Sequence, residues 1–356
     1  MARVSDVIVE DACSLAAELR HRLQPLAGRT FLVTGAAGFL CSYVLDAVVA
    51  ANDAGLDPPC RLIALDNFLS GVADRVEHLS RRKDVRLVRH DITRPFEPGD
   101  PVHWILHGAS IASPTFYRRY PLETIDANVL GTRHLLELAR RGTSGMVMLS
   151  TSEVYGDPDP ACVPTSEDYN GNVSCTGPRA PYDESKRLAE TLCATYHRLY
   201  GIPVRTVRPF NVYGPGQRLD DRRILPDLMA AALERKAIVL HSDGRATRSF
   251  CYVKDAVRAL LVVLLEGANG QAYNIGNDEE EVCIADLAQH VRELAGPPWL
   301  AVVHEMSQDR HYLTDNPQRR RPDLTRLRTL IPDMRCVKLR QGLERTLRSY
   351  RAEVRI

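Results

Sequence analysis

Short apolar runs alternate with longer amphipathic stretches along most of the chain. The runs predict strands at 30–35, 61–66, 84–91, 102–110, 145–151 and 202–210. The stretches between them predict helices at 45–51, 121–141 and 183–200. Strands that are apolar throughout and alternate with helices are typical of a parallel sheet covered on both faces. The pattern therefore predicts an α/β fold built on a doubly wound parallel sheet.

The two ends of the chain follow different patterns. Residues 5–24 predict an amphipathic helix appended to the main domain, with an apolar side made of Val7, Val9, Leu15, Leu19 and Leu23. After residue 210 the pattern loosens into a helix near 224–235 and a short strand at 237–241. We therefore predict an N-terminal helical extension (1–28), a nucleotide-binding domain (29–210) and a smaller C-terminal substrate-binding region (211–356).

The net charge and composition of the chain argue against several kinds of binding partner. The 46 basic and 45 acidic residues give a net charge of +1, which argues against a nucleic-acid partner because phosphate binding favours a basic excess. No apolar run is long enough to predict a membrane span, and the N-terminus lacks the pattern of a secretory signal. The nine cysteines are scattered without a C-x-x-C pair, which predicts neither disulfides nor a bound metal and favours the cytoplasm.

A glycine-rich turn follows the first predicted strand. Gly35 and Gly38 allow a tight turn and a close approach of the backbone to a pyrophosphate, and Phe39 and Leu40 begin the next helix. This arrangement predicts a dinucleotide-binding domain of the Rossmann type. Cys41 stands where a third glycine or an alanine normally allows close helix packing. We therefore expect this helix to lie slightly further from the sheet and the cofactor to bind more weakly.

Acidic residues end the next two predicted strands. The Asp66 carboxylate is placed to accept hydrogen bonds from the adenosine ribose, and its charge would repel a 2′-phosphate. This predicts NAD rather than NADP as the cofactor. Asp91 is a candidate contact of the adenine amino group.

Two pairs of residues are candidates for catalysis. Tyr182 and Lys186 lie four residues apart on a predicted helix and so share a face. The ammonium is expected to lower the tyrosine pKa, which suits removal of a hydroxyl proton during hydride transfer. Thr151 and Glu153 follow the fifth predicted strand, at the edge where α/β sheets bind ligands. Thr151 is a candidate partner of the substrate hydroxyl, and Glu153 is a candidate acid, base or electrostatic guide.

These motifs resemble the extended short-chain dehydrogenase/reductase superfamily. Within it, further blocks resemble the UDP-glucuronate decarboxylase (UDP-xylose synthase) family: LDNFLSG (65–71), STSEVYGDP (150–158), GNVSCTGPRAPYDESKR (171–187), RPFNVYGPGQR (208–218), TRSFCYVKD (247–255), YNIGN (273–277) and PQRRRPD (317–323). The resemblance runs from about residue 30 to the C-terminus.

The resemblance implies a role for each matching residue. Tyr182 is then the base, Lys186 positions the nicotinamide ribose, and Thr151 contacts the hydroxyl that is oxidised. Glu153 and Arg248 act near the substrate carboxylate and carbon 5. The implied cofactor contacts also include Gly35, Gly38, Phe39, Leu40, Asp66, Asn67, Asp91 and Ile92, and the implied nucleotide-sugar contacts include Tyr117, Arg179, Asn211 and Arg223.

The resemblance also implies a reaction on a UDP-sugar with NAD. Oxidation of the 4-hydroxyl of UDP-glucuronate gives a β-keto acid, which loses carbon dioxide because its electrons delocalise into the ketone. Return of the hydride then gives UDP-xylose. Release of the 4-keto product, a nucleotide-sugar 4,6-dehydratase and a 4-epimerase stay open, and a non-catalytic NAD-binding scaffold is a remote alternative.

Three departures from the family pattern stand out. Arg75 is the first basic residue after the LDNFLSG turn, so one contact with a cofactor phosphate is expected to be lost. Ile111 stands where the family has proline, and the segment 304–323 is longer than usual. Because related enzymes pair two helices per subunit, we also expect a homodimer formed through helices 121–141 and 183–200.

Overall fold

The computed structural model describes residues 5–296, 300–305 and 317–354. Its strands are β1 (Thr30–Thr34), β2 (Arg61–Asp66), β3 (Val85–Arg89), β4 (Trp104–His107), β5 (Gly145–Leu149), β6 (Val204–Pro209), β7 (Val212–Tyr213), β8 (Ile238–Leu240), β9 (Thr247–Arg248), β10 (Cys251–Tyr252), β11 (Ala272–Ile275), β12 (Val282–Cys283), β13 (Val302–His304) and β14 (Arg319–Arg320). Its α-helices are α1 (Asp6–Glu18), α2 (Phe39–Asp53), α3 (Asp74–Glu77), α4 (Pro114–Arg119), α5 (Pro121–Ala139), α6 (Ala180–Tyr200), α7 (Ile224–Leu233), α8 (Val253–Glu266), α9 (Ile284–Ala295), α10 (Thr325–Arg328) and α11 (Leu339–Val354). No helix among these residues is both long and apolar enough to cross a membrane.

Seven strands form one parallel sheet in the order β11–β6–β5–β4–β1–β2–β3. The strand order reverses between β1 and β4, which is where open α/β sheets bind ligands. The predicted Rossmann-type sheet is therefore confirmed. Strand β11 comes from the predicted C-terminal region, so the division at residue 210 does not separate the sheet from the rest of the chain.

Alternate side chains of the strands build two cores, one on each face of the sheet. On β1, Phe31 and Val33 belong to one core, whereas Leu32 belongs to the other. Helices α2 and α8 cover the first face, and α5 and α6 cover the second. Strands buried on both faces explain the continuous apolar runs in the sequence.

Several elements differ in extent from the sequence prediction. The strands predicted at 84–91 and 102–110 are shorter, because their polar and glycine-containing ends leave the sheet and form turns at the ligand edge. The helix after the glycine-rich turn begins at Phe39, as that turn predicts, and the helix predicted at 183–200 begins earlier, at Ala180. Tyr182 consequently lies in the first turn of α6.

Helix α1 packs into the first core against α2, α8 and α11. Val9 was predicted on its apolar side, but its side chain is 49% exposed. The buried Asp11 carboxylate accepts hydrogen bonds from the Tyr252 hydroxyl (2.7 Å) and the Arg345 guanidinium (2.8 Å). Burial raises the pKa of Asp11, and these two donors oppose that shift. The carboxylate thus ties α1 to β10 and α11.

A second polar network holds the long segment between β5 and α6. The Glu190 carboxylate pairs with the Arg208 guanidinium and accepts a hydrogen bond from Ser150. Arg208 also donates to the Tyr155 hydroxyl (2.8 Å) and to the Glu167 carbonyl (3.0 Å). Because these groups are mostly buried, their mutual hydrogen bonds offset the cost of leaving water. They anchor the loop to β6 and α6.

We expect Asp11→Ala to lower the free energy of unfolding by about 2–3 kcal/mol, because it leaves the Arg345 guanidinium and the Tyr252 hydroxyl without their buried acceptor. Urea unfolding followed by circular dichroism measures the change. Glu10→Ala is the matched control, since Glu10 also lies on α1. Its half-exposed carboxylate pairs with Arg345 and Arg348 of α11. This substitution should cost less than about 0.5 kcal/mol, and equal losses in the two variants would contradict the role of Asp11.

Candidate active site

A cavity of about 690 Å³ opens at the carboxyl ends of the central strands. This volume is typical of a small-molecule site. Its lining includes the predicted residues Phe39, Leu40, Tyr117, Thr151, Glu153, Arg179, Tyr182, Asn211, Arg223 and Arg248. The other predicted contacts lie outside this lining: Gly35, Gly38, Asp66, Asn67, Asp91, Ile92 and Lys186.

The glycine-rich turn has the geometry that a dinucleotide requires. Gly35 has a φ of +70°, and a Cβ there would lie 2.7 Å from backbone atoms of Gly108 and Ala109. Gly38 precedes α2 as its N-terminal cap residue, with no side chain over the first turn. The backbone N–H groups at this helix start are therefore open to an anion.

Cys41 fits beneath this turn because its neighbour is a glycine. The buried thiol donates to the Thr34 carbonyl (3.5 Å), and a Cβ on Gly108 would overlap the Cys41 sulfur. Burial raises the pKa of the thiol to about 12, so it stays protonated. The Cys41 side chain therefore fits because position 108 has no side chain.

Asp66 joins the end of β2 to the glycine-rich turn. Its carboxylate accepts hydrogen bonds from the backbone N–H of Ala37 (2.9 Å) and of Phe68 (2.7 Å). Burial raises its pKa, which the backbone donors oppose. A carboxylate has about four acceptor positions, so the free ones can receive ribose hydroxyls.

Asp91 and Asn67 lie together beside this turn. Burial disfavours the charge of Asp91, but hydrogen bonds from the Thr93 backbone and hydroxyl and from Asn67 outweigh it and lower the pKa. The side chain of Ile92 is buried in the second core. Only the backbone of Ile92 is therefore suited to contact a cofactor.

Tyr182 and Thr151 form the centre of the cavity wall. The two hydroxyls share a hydrogen bond, and the Tyr182 ring stacks on Tyr117 with ring centres 5.2 Å apart and planes at 6°. The Lys186 ammonium donates to the Leu149 carbonyl (2.7 Å) and lies 6.0 Å from the centre of the Tyr182 ring. The tyrosine is thus held by its ring and its hydroxyl at once.

Burial, and not Lys186, is the main influence on the pKa of Tyr182 in this structure, and the lowering by Lys186 stays a prediction. Burial raises the pKa of Tyr182, and the Thr151 hydrogen bond and the charge of Arg223 offset only part of that rise. Burial also lowers the pKa of Lys186 to about 8, which weakens it as a source of positive charge. Tyr182 therefore remains a phenol at neutral pH until another positive charge comes close.

Glu153 is buried among arginines from three separate segments. Its carboxylate pairs with Arg179 and Arg320, and the charge of Arg248 also acts on it. Burial favours the neutral acid, but the arginines outweigh it and hold the pKa of Glu153 far below its usual range. Of the three roles predicted for Glu153, the ionised state favours those of a base or an electrostatic guide. Asp183 also lies 3.7 Å from Arg179, so the three arginines and two carboxylates keep a surplus of one positive charge.

Arg248 is turned toward backbone carbonyls rather than toward Glu153. Its guanidinium donates to the carbonyls of Thr247 (2.7 Å), Pro317 (2.7 Å) and Gln318 (3.3 Å). The pairing of β9 with β14 places Arg248 opposite Arg320. Burial and the charge of Arg320 lower the pKa of Arg248 to about 10. Arg248 thus fastens the strand that carries Arg320 to the cavity wall.

Arg320 is the site residue that the sequence analysis missed. The block PQRRRPD was recognised, but a run of three arginines does not tell which one faces the site. On β14 the side chains alternate, so that Arg319 is exposed and pairs with Glu281, whereas Arg320 is buried against Glu153. The pairing of β14 with β9 was the missing information.

Two of the predicted nucleotide-sugar contacts, Asn211 and Arg223, line the cavity from the segment between β6 and α7. Asn211 adopts a left-handed backbone conformation (φ +41°), and its amide donates to the Ser249 carbonyl. Arg223 precedes α7, pairs with Asp221 (3.0 Å) and donates to the Ala112 carbonyl (3.1 Å). The cavity lining therefore includes a further guanidinium, which is paired with a carboxylate.

Comparisons with known proteins agree with this geometry. Residues 31–276 match the NAD dependent epimerase/dehydratase family. UDP-glucuronic acid decarboxylase 6 of Arabidopsis thaliana is 39% identical over 312 residues, covering 88% of this chain and 86% of the relative.

Two solved structures share both the fold and some sequence. The dTDP-glucose 4,6-dehydratase DesIV from Streptomyces venezuelae, with NAD and TYD bound, has a TM-score of 0.78 and 26% identity over 91% of this chain and 97% of its own. A mutant UDP-glucuronic acid 4-epimerase from Bacillus cereus, in complex with UDP-4-deoxy-4-fluoro-glucuronic acid and NAD, has a TM-score of 0.75 and 25% identity over 91% and 99%.

Proposed function

The chain belongs to the NAD-dependent epimerase/dehydratase family, and we propose that it decarboxylates UDP-glucuronate to UDP-xylose through a 4-keto intermediate. The observation that carries this proposal is the cluster of Arg179, Arg248 and Arg320 around Glu153. With Asp183 paired to Arg179, a surplus of one positive charge stays in this buried wall and needs an anionic partner. The carboxylate of a uronate sugar supplies that partner beside Tyr182 and Thr151.

The same cluster argues against the dehydratase alternative. Elimination of water from a hexose needs a proton donor for the departing hydroxyl, and the arginines keep Glu153 ionised. A neutral hexose would also leave their surplus charge unpaired. A uronate 4-epimerase shares the substrate, but the decarboxylase relative is the more similar in sequence, at 39% against 25% identity.

The residues around the glycine-rich turn fit NAD. We propose that the backbone at Gly35 and Gly38 and the start of α2 at Phe39 and Leu40 hold the pyrophosphate. Asp66 holds the adenosine ribose, Asn67, Asp91 and the backbone of Ile92 border the adenine, and Lys186 positions the nicotinamide ribose. When bound, NAD supplies a reversible hydride acceptor and a positive charge close to Tyr182.

The chain's own residues then handle protons and the carboxylate. Thr151 orients the 4-hydroxyl, and the Tyr182 oxygen takes its proton. After oxidation at carbon 4, the electrons of the bond to the carboxyl group move into the ketone, and the Tyr182 hydroxyl donates to the resulting enolate. Arg320 binds the substrate carboxylate, and Arg248 holds the strand of Arg320 in place.

Other residues of the lining bind the rest of the substrate. Asn211 and Arg223 contact the diphosphate, because both line the cavity and Arg223 carries the positive charge that phosphates favour. Arg179 fixes the start of α6 through Glu153 and Asp183. Tyr117 keeps the Tyr182 ring in place by stacking.

We expect the purified protein, incubated with UDP-glucuronate and NAD, to yield a nucleotide sugar lighter by the mass of carbon dioxide. Mass spectrometry resolves UDP-xylose from the 4-keto product, which has two hydrogens fewer. Tyr182→Phe should retain NAD but give no conversion, because its ring carries no group that accepts the hydroxyl proton. An unchanged mass with inverted carbon 4 in the proton NMR spectrum would instead show an epimerase. Loss of water from a dTDP- or GDP-hexose would show a dehydratase.

We expect Arg320→Gln to lower kcat/KM for UDP-glucuronate by about 100-fold, because a buried charged donor to the substrate carboxylate is lost. Steady-state kinetics measures the change. Arg319→Gln is the matched control, since it removes the neighbouring arginine of β14, which is exposed and pairs with Glu281. The control should stay within about twofold of the parent protein, and equal losses in both variants would refute the assignment of Arg320.

We further propose a homodimer formed through α5 and α6. Large exposed apolar side chains gather on these helices: Leu122, Ile125 and Leu130 on α5, and Leu188, Leu199 and Tyr200 on α6. Leu122 is 70% exposed and Leu199 is 65% exposed. An exposed apolar surface of this kind is typical of a protein interface.

Light scattering at micromolar concentration should give twice the chain mass of 39.8 kDa. The double variant Leu122→Asp/Leu188→Asp should be monomeric, because it places charges within the apolar surface. Val9→Asp, which alters an exposed apolar residue of α1, should stay dimeric. A monomeric parent protein, or a dimeric double variant, would contradict this interface.

We also assign the protein to the cytoplasm. All nine cysteines lie in the described part of the chain and are unpaired. Unpaired thiols in this number are typical of a reducing compartment.

A further inference from the structure

Two arginines connect the segment after β2 with the loop before α7. Arg75 belongs to the first segment and contacts the second, and Arg218 belongs to the second and contacts the first. We propose that Arg75 and Arg218 form a strap that retains NAD through the whole catalytic cycle, so that UDP-xylose rather than its 4-keto precursor is released. Retention of the cofactor is independent of the substrate, whereas the identity of the product rests on the proposed function.

Arg75 reaches from the cofactor side to the substrate side. Its guanidinium donates to the Ser42 hydroxyl (2.6 Å) in the first turns of α2 and to the Gly216 carbonyl. It also lies over the Tyr43 ring, 5.7 Å from the centre. Gly216 has a φ of +76°, and a Cβ there would overlap the guanidinium. The loop is therefore shaped to receive this arginine.

Arg218 reaches back from the substrate side. Its guanidinium donates to the Ser70 carbonyl (3.3 Å) and lies over the Phe116 ring, 5.1 Å from the centre. Asp220 holds the same guanidinium through two hydrogen bonds (2.8 and 2.6 Å). Each segment thus carries an arginine whose partner is a backbone carbonyl of the other segment.

The loop is also fastened from behind. The Tyr350 hydroxyl of α11 lies 2.6 Å from the Gln217 carbonyl and 3.4 Å from the Gly214 carbonyl. Gln217 is buried and lines the cavity. The loop 214–217 is consequently anchored to the core as well as to Arg75, so it cannot lift away without breaking several hydrogen bonds.

The strap lies across the route that a dinucleotide would take. The segment after β2 closes on the glycine-rich turn, because the Val72 N–H donates to the Ala37 carbonyl (3.1 Å) and Gly71 packs against Asp66. Ser42, which Arg75 holds, follows the start of α2 proposed for the pyrophosphate. Exit of NAD therefore requires the two segments to part.

Retention of NADH determines the product, because only a bound NADH can return the hydride to carbon 4. The bond between carbons 5 and 6 breaks, carbon dioxide leaves, and a proton replaces it on carbon 5. The hydride removed from carbon 4 returns to carbon 4, so the sum is UDP-glucuronate plus one proton to UDP-xylose plus carbon dioxide, with no oxidant consumed. If NADH escaped first, the 4-keto sugar would leave and one NAD would be consumed per turnover.

The first test is the rate of NAD release without any substrate. Full-length protein loaded with labelled NAD is mixed with excess unlabelled NAD, and the retained label is followed by rapid gel filtration. Arg75→Ala and Arg218→Ala should each release NAD at least about tenfold faster than the parent protein, because a charged hydrogen bond is lost. Arg141→Ala, which removes an exposed arginine paired with Glu97, should release it at the parent rate.

The second test is the product. The parent protein should release NAD more slowly than it turns over and should give UDP-xylose, whereas the two strap variants should give a larger share of 4-keto sugar with matching NADH in solution. Unchanged release in both variants, or parent release as fast as turnover, would overturn the strap. If Arg75→Ala does not fold, Arg218→Ala alone tests the strap. The Arg218 side chain is 34% exposed. An inactive protein with slow NAD release would refute the substrate and leave the strap intact.

Discussion

The buried carboxylate of Glu153 is the interaction on which the cavity depends. Arg179, Arg248 and Arg320 come from three distant parts of the chain, and their like charges repel one another at short range. Glu153 at the centre, with Asp183 beside Arg179, makes the arrangement tolerable, because an unpaired buried charge is strongly destabilising. The two carboxylates do not neutralise the three arginines fully. The cavity wall therefore carries a net positive charge, which favours an anionic ligand before any ligand binds.

That wall needs a frame, which the parallel sheet and its local motifs provide. The frame was predictable from the sequence because its signals are local. The continuous apolar strands, the glycines at 35 and 38 and the acid at the end of β2 each depend on neighbours within a few residues. Tyr182 and Lys186 were predictable for the same reason, since one helical turn places them on one face.

The rest depends on contacts between residues that are far apart in sequence. Arg320 was hidden in a run of arginines until the pairing of β9 with β14 separated buried from exposed positions. The pKa of Tyr182 followed burial instead of the neighbouring ammonium, and burial is a property of the whole fold. Helix α1 looked like an appendage because the partners of Asp11 lie in β10 and α11.

Cys41 and Gly108 show how such a contact constrains evolutionary change. Because the thiol occupies the space that a side chain at position 108 would need, a larger residue at 108 requires the thiol to move or position 41 to become smaller. Cysteine at 41 therefore favours glycine at 108, whereas a smaller residue at 41 weakens that preference. The two positions should consequently covary among homologues.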